Sequence, residues 1–87
     1  MNVTNVRVVK VEDMGTLKAF ASIALDDALV IDGFKIVETD GNTVVFYPEK
    51  SKRNADGTYS YRDIAFATKK ELRDKISNAI LDAYKKA

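Results

Sequence analysis

From Val3 to Phe66 the apolar residues fall mainly at strand spacing; from Leu72 onward they recur at helical spacing. Val3 to Val11 is valine-rich and reads as a strand, with Val6 and Val8 on one face and Val9 and Val11 on the other. Met14-Gly15-Thr16 is a turn. Leu17 to Leu25 alternates cleanly: Leu17, Ala19, Ala21, Ile23 and Leu25 share one face, and Lys18, Phe20, Ser22 and Ala24 share the other. These two strands are expected to form an antiparallel hairpin. Asp26-Asp27 breaks the pattern and reads as a connector. Leu29 to Ile31 and Phe34 to Val37 make a third extended region, with a bulge or bend expected at Asp32-Gly33. Asp40-Gly41-Asn42 is a tight turn, and Thr43 to Tyr47 is a fourth strand ended by Pro48. Residues 49–58 read as a charged loop with a turn at Asp56-Gly57, and Tyr59 to Phe66 as a fifth strand. Thr68-Lys69-Lys70-Glu71 has the spacing of a capping box. Behind it Leu72, Ile76, Ala79, Ile80 and Ala83 form one apolar helical stripe, with Tyr84 at its edge and Leu81 pointing away.

The pattern predicts one α+β domain over residues 1–87, a twisted antiparallel sheet of about five strands with a C-terminal helix packed on one face. At 87 residues the core is thin, and oligomerisation is a common remedy, so a homodimer is expected. The absence of cysteine fits a cytoplasmic protein. No apolar run approaches the ~20 residues of a membrane span, and Met1-Asn2-Val3-Thr4 lacks the basic and apolar regions of a signal peptide.

Composition removes much chemistry. Without histidine or cysteine there is no common general base, no usual nucleophile dyad and no N/S zinc ligand set. No glycine-rich phosphate loop is present. Neither catalytic nor metal-ligating residues are assigned, and no cofactor or small-molecule substrate is expected. Charge is more informative. The net charge is +1, yet residues 1–47 set four Lys/Arg against seven Asp/Glu, whereas residues 48–73 set seven against four. The second region places Lys50, Lys52, Arg53 and Arg62 near Tyr47, Tyr59, Tyr61 and Phe66, then opens a helix with Lys69, Lys70 and Arg73. Lys and Arg neutralise phosphates and release counterions, arginine makes bidentate contacts to phosphate or guanine, and exposed tyrosines stack single-stranded bases. For each aromatic taken singly, core or sheet packing is the commoner role, and a basic run is often only a solvated loop.

Several short motifs, in order and at matching spacing, carry a likeness over nearly the whole chain. They are Val3-Thr4-Asn5-Val6-Arg7, Lys18-Ala19-Phe20-Ala21-Ser22-Ile23-Ala24-Leu25-Asp26, Lys52-Arg53-Asn54-Ala55-Asp56-Gly57, Arg62-Asp63-Ile64-Ala65 and Arg73-Asp74-Lys75-Ile76. In these the chain resembles the stage V sporulation protein G (SpoVG-type) septation regulators. It departs from that pattern at Ala55, at Phe66-Ala67 and at Ile31-Asp32-Gly33-Phe34. The resemblance implies a small α+β dimer that binds DNA, and in some members RNA, and acts as a broad regulator, including of septum formation in sporulation. It carries over the basic positions Lys52, Arg53, Arg62 and Arg73; Lys50, Lys69 and Lys70 are added from charge. The resulting expectation is a non-enzymatic nucleic-acid-binding regulator. The competing expectation is a protein-interaction module that recruits a partner through the first strand and the Leu81 side.

Overall fold

The computed structural model describes residues 1–87 and has an α+β fold of six antiparallel strands in two sheets and one C-terminal helix. The main sheet is a meander in the order β1 (Val3–Lys10), β2 (Leu17–Leu25), β3 (Leu29–Thr39) and β4 (Asn42–Phe46). A separate two-stranded ribbon pairs β5 (Glu49–Arg53) with β6 (Tyr59–Asp63), and α1 spans Lys70–Lys86.

The turns follow from their residues. Asp26 and Asp27 both take positive φ, 51° and 49°, and Ala28 N donates to Leu25 O at 3.0 Å, so a tight turn at Asp26-Asp27 reverses the chain within the three-residue β2–β3 connection before Leu25 pairs with Leu29. The Asp26 carboxylate accepts from Asn2 N at 2.8 Å and Thr4 Oγ1 accepts from Asp27 N at 3.0 Å, which ties this turn to the start of β1. These aspartates are the connector that the sequence predicts. The predicted bulge is also present. The β2–β3 register shifts between Ala21/Phe34 and Ser22/Asp32, with Gly33 at φ 98° lying against Pro48.

One sheet face is covered. Ala19, Ala21, Ile23 and Leu25 of β2 are buried together with Phe34 and Ile36 of β3 and Ile76 and Ile80 of α1. Val6 and Val8, which pair with Ile23 and Ala21, and Val45, which pairs with Ile36, extend the same face. Lys10 fastens the far end: its Nζ donates to Ala87 O at 2.7 Å and lies 5.4 Å from the centre of the Tyr84 ring.

Four local expectations change. Glu49–Arg53 is a strand rather than loop, which raises the strand count to six. β6 stops at Asp63, so Ile64 to Phe66 lie outside it. The capping box does not form: α1 starts at Lys70, the N-cap is Lys69 with extended backbone (φ −111°, ψ 135°), and no side chain caps it, because Thr68 lies one residue too early. Glu71 nevertheless sits in the first turn, where the helix dipole favours an acid. Leu81, expected to point outward, is half-buried.

Ile80 is wholly buried beneath α1. Ile80→Ala is expected to cost about 2–5 kcal/mol, a large share of the stability of so small a domain. Urea denaturation followed by the helical circular-dichroism signal measures it, and a loss below about 1 kcal/mol would contradict this picture of the core.

Candidate nucleic-acid interface

The ribbon formed by β5 and β6 is where the basic residues concentrate. Its register pairs Lys50 with Arg62, Lys52 with Ser60, Ser51 with Tyr61, and Arg53 with Tyr59. Side chains alternate between the faces of a strand and paired residues share a face. Lys50, Lys52, Ser60 and Arg62 therefore stand on one side, and Ser51, Arg53, Tyr59 and Tyr61 on the other. A shallow depression of about 560 Å³ on the ribbon is lined by Lys50, Lys52, Asn54, Ser60 and Arg62, and Ser51 and Tyr61 reach its border from the other side.

The turn that sets this register is held by its own polar side chains. Asn54 N donates to Thr58 O at 2.7 Å, and Gly57 N donates to Asn54 O at 3.1 Å with Gly57 at φ 89°. The Asp56 carboxylate accepts from Thr58 N at 3.0 Å and from Thr58 Oγ1 at 2.6 Å. Those two bonds hold its pKa below the ordinary carboxylate value. Asn54 Nδ2 donates to Thr58 Oγ1 at 3.1 Å and to Ser60 Oγ at 2.8 Å, linking the turn to the cationic side.

The cations of the ribbon are not neutralised. The one ion pair in the chain joins Lys35 Nζ to Glu49 Oε1 at 3.7 Å. Arg62 and Asp63 are strand neighbours and so point to opposite sides, which rules out the local pair that their adjacency suggests.

The other basic positions have different surroundings. Lys69 and Lys70 are exposed at the start of α1, beside backbone N–H groups that no side chain caps. Arg73 faces back to the body: its guanidinium lies 5.1 Å from the centre of the Tyr47 ring and Nη1 donates to Ala67 O at 3.4 Å. The structure thus brings Lys50, Lys52 and Arg62 onto one face, puts Arg53 on the reverse, and leaves Lys69, Lys70 and Arg73 on a separate element. Asn54 and Ser60 join the cationic side without having been singled out in the sequence. Only the Asp56-Gly57 turn between them was a local signal; the strand at Glu49–Arg53 that fixes their side carries none.

Tyr47 anchors the base of the ribbon. It is buried, its ring tilts against Phe34 at a centroid distance of 5.2 Å, and its hydroxyl has no hydrogen-bond partner. Burial raises its pKa above 10.0; Arg73 and the Ala67 backbone oppose the rise, while Asp63 and Asp74 add to it. The Ala67 backbone acts on the hydroxyl from outside hydrogen-bonding geometry.

No cluster of acids is placed to hold a metal ion, and no helix is long and apolar enough to cross a membrane. The SpoVG family profile matches residues 1–86. The chain belongs to the SpoVG family. It is 39% identical over 87 residues to a protein of Lachnospira eligens, covering 100% of this chain and 94% of the relative. A protein of Desulforudis audaxviator is 44% identical over 84 residues, with 97% and 91% covered. One from Staphylococcus saprophyticus is 39% identical over 84 residues, with 97% and 79% covered. All three are provisionally named septation protein SpoVG, a name that describes no enzyme.

Because the Tyr47 hydroxyl is buried without a partner, Tyr47→Phe in this SpoVG-family chain is expected to be neutral or to stabilise by about 1 kcal/mol. The raised pKa fixes the sign of the pH effect. The stability that the neutral phenol secures is fully present below pH 10.0 and is lost as pH rises through the higher folded value. Denaturation series at pH 8 and above pH 10 (about the free phenol value) should therefore show a shallower alkaline decline in Tyr47→Phe than in wild type. A marked destabilisation at pH 8 would mean that the hydroxyl has a partner.

Proposed function

We propose that this SpoVG-family chain is a non-enzymatic nucleic-acid-binding regulator, acting in the cytoplasm as a homodimer in septation and sporulation. Family membership supports the septation role. The observation that carries nucleic-acid binding is the row of Lys50, Lys52 and Arg62 on one side of a ribbon whose turn is pinned by hydrogen bonds. None of the three is tied to an acid. A free cation on an exposed strand gains most from a phosphate, since each contact releases condensed counterions. A two-stranded ribbon also has the width that a DNA major groove admits, about 12 Å. Ser60 and Asn54 supply neutral hydrogen-bonding groups beside the cations, and Lys69 and Lys70 add a second phosphate-favouring point at the uncapped helix start. Arg53 extends the charge around the ribbon edge. Arg73, held against Tyr47, orients the base of the ribbon more than it reaches a ligand.

The test is the salt dependence of affinity for a DNA duplex and for an RNA of matched length. Replacing Lys50, Lys52 and Arg62 with Gln should flatten the slope of log affinity against log salt by about 0.9 per lost phosphate contact on duplex DNA. Lys69→Gln with Lys70→Gln should flatten it separately. A triple variant that keeps the wild-type slope and affinity moves the interface off the ribbon. A partner pull-down that survives nuclease treatment and the triple substitution would favour a protein-interaction module instead.

A further inference from the structure

The depression on the ribbon brings together groups that strand alternation would keep apart. Lys50, Lys52, Ser60 and Arg62 line it from one side, and Tyr61 reaches its border from the other. Tyr61 is 64% exposed and is the one aromatic side chain in the lining. Tyr59 matches it in residue type and nearly in exposure (58%), but it pairs with Arg53 and lies outside the depression. Lys50 and Lys52 leave β5 about 7 Å apart and Arg62 lies across from Lys50, so the three charges fall within a short length of nucleic-acid backbone. The turn bonds also settle which neutral polar atoms remain for a ligand. Thr58 Oγ1 donates to Asp56 Oδ1 at 2.6 Å, so its proton is committed. Asn54 must then turn its amide nitrogen toward Thr58 Oγ1, at 3.1 Å, and the same nitrogen donates to Ser60 Oγ at 2.8 Å. Ser60 keeps its own hydroxyl proton, and Asn54 Oδ1 takes part in no hydrogen bond within the chain. The depression thus offers a neutral donor and a neutral acceptor beside its cations.

We propose that this depression is a subsite for one unpaired nucleotide of a single strand, with the base stacked on the Tyr61 ring and the adjoining phosphates held by Lys50, Lys52 and Arg62. The inference rests on the nucleic-acid part of the proposed function and adds to it the form of strand that the ribbon selects. Cations alone attract duplex and single strand alike. A ring distinguishes them. Neighbours in the stack cover the faces of paired bases, whereas an unpaired base has a free face that an aromatic side chain can cover. Stacking tolerates every base, so Tyr61 confers a preference for unpaired strand rather than for sequence. Ser60 and Asn54 are placed to meet the sugar or the base edge. The size agrees, since about 560 Å³ lies within the ~300–1,000 Å³ of small-ligand sites.

Binding by the full chain tests the assignment, with four probes: oligodeoxythymidine, oligouridine, an abasic strand of equal length and a DNA duplex. Wild type should bind at least one of the two unpaired oligonucleotides more tightly than the abasic strand, and the better of the two names the preferred sugar. Tyr61→Ala should weaken that binding by about 5- to 150-fold with the salt slope unchanged, and should leave the abasic strand and the duplex unaffected. Tyr59→Ala should change it by no more than about twofold. The chain has no tryptophan, so Tyr61→Trp introduces a single fluorophore whose emission a stacked base quenches; Tyr59→Trp should show no such quenching. An abasic strand bound as tightly as both oligonucleotides would overturn the subsite, as would equal affinities for Tyr61→Ala and Tyr59→Ala. In either case a slope still flattened by Lys50→Gln, Lys52→Gln and Arg62→Gln together would leave the phosphate contacts standing. A wild-type slope and affinity in that triple variant would overturn the ribbon interface and the subsite with it.

Discussion

A single helix can cover only one face of a sheet, and the rest of this structure depends on that constraint. The helix is made to fit closely. Ala19 and Ala21 put small side chains on the central strand β2, leaving room for Ile76 and Ile80, while Phe34 and Tyr47 fill the wider space toward β4. Lys10 then closes the far end by binding the last carbonyl of the chain and stacking near Tyr84. The side chains that achieve this come from every second residue of the strands. The intervening residues are consequently presented on the other face, where Val9, Phe20 and Phe46 stand exposed among polar neighbours.

The ribbon obeys a different rule. It contributes none of the ten residues of the hydrophobic core, so burial does not hold it. Two-stranded ribbons alone in water are marginal. Here the turn side chains take that role: Asp56, Thr58, Asn54 and Ser60 form a connected set of short hydrogen bonds, and Ile64 N closes the base by donating to Pro48 O at 2.7 Å. An ordered ribbon fixes its cations in place before a ligand arrives, which lowers the entropy that binding would otherwise cost. The lowered Asp56 pKa belongs to the same set of bonds. That contribution to ribbon order is present above the free carboxylate value of 3.8 and is lost as pH falls through the lower folded one.

Most of the body was legible because its signals were local and repeated. The alternation in Leu17–Leu25, the stripe through Ile76 and Ile80, the Asp26-Asp27 break and Gly33 each named their own structure. The strand at Glu49–Arg53 was not, because Glu-Lys-Ser-Lys-Arg has neither apolar alternation nor strand propensity. Its conformation is imposed by the turn and by the partner strand, which is nonlocal information. The helix cap failed for a related reason: capping-box spacing fits at Thr68, but the chain leaving the ribbon stays extended through Lys69. In the candidate site, the residue types were readable and their grouping was not. Linear proximity put Lys52 beside Arg53, whereas the pleat separates them; distance in sequence hid Arg62, which the register brings opposite Lys50.

That separation makes register the decisive property of the ribbon. With a period of two, a slip of one residue in β5 against β6 would bring Arg53 to the side now held by Lys52 and carry the tyrosines' neighbours with it. The cationic and aromatic sides stay distinct only while Arg53 faces Tyr59 and Lys50 faces Arg62. The turn bonds enforce this pairing more directly than any contact along the strands, since Asn54 reaches Ser60 only in the observed register. The seven residues from Asn54 to Ser60 therefore decide which side carries the cations and which the tyrosines, although Lys50, Lys52 and Arg62 all lie outside them.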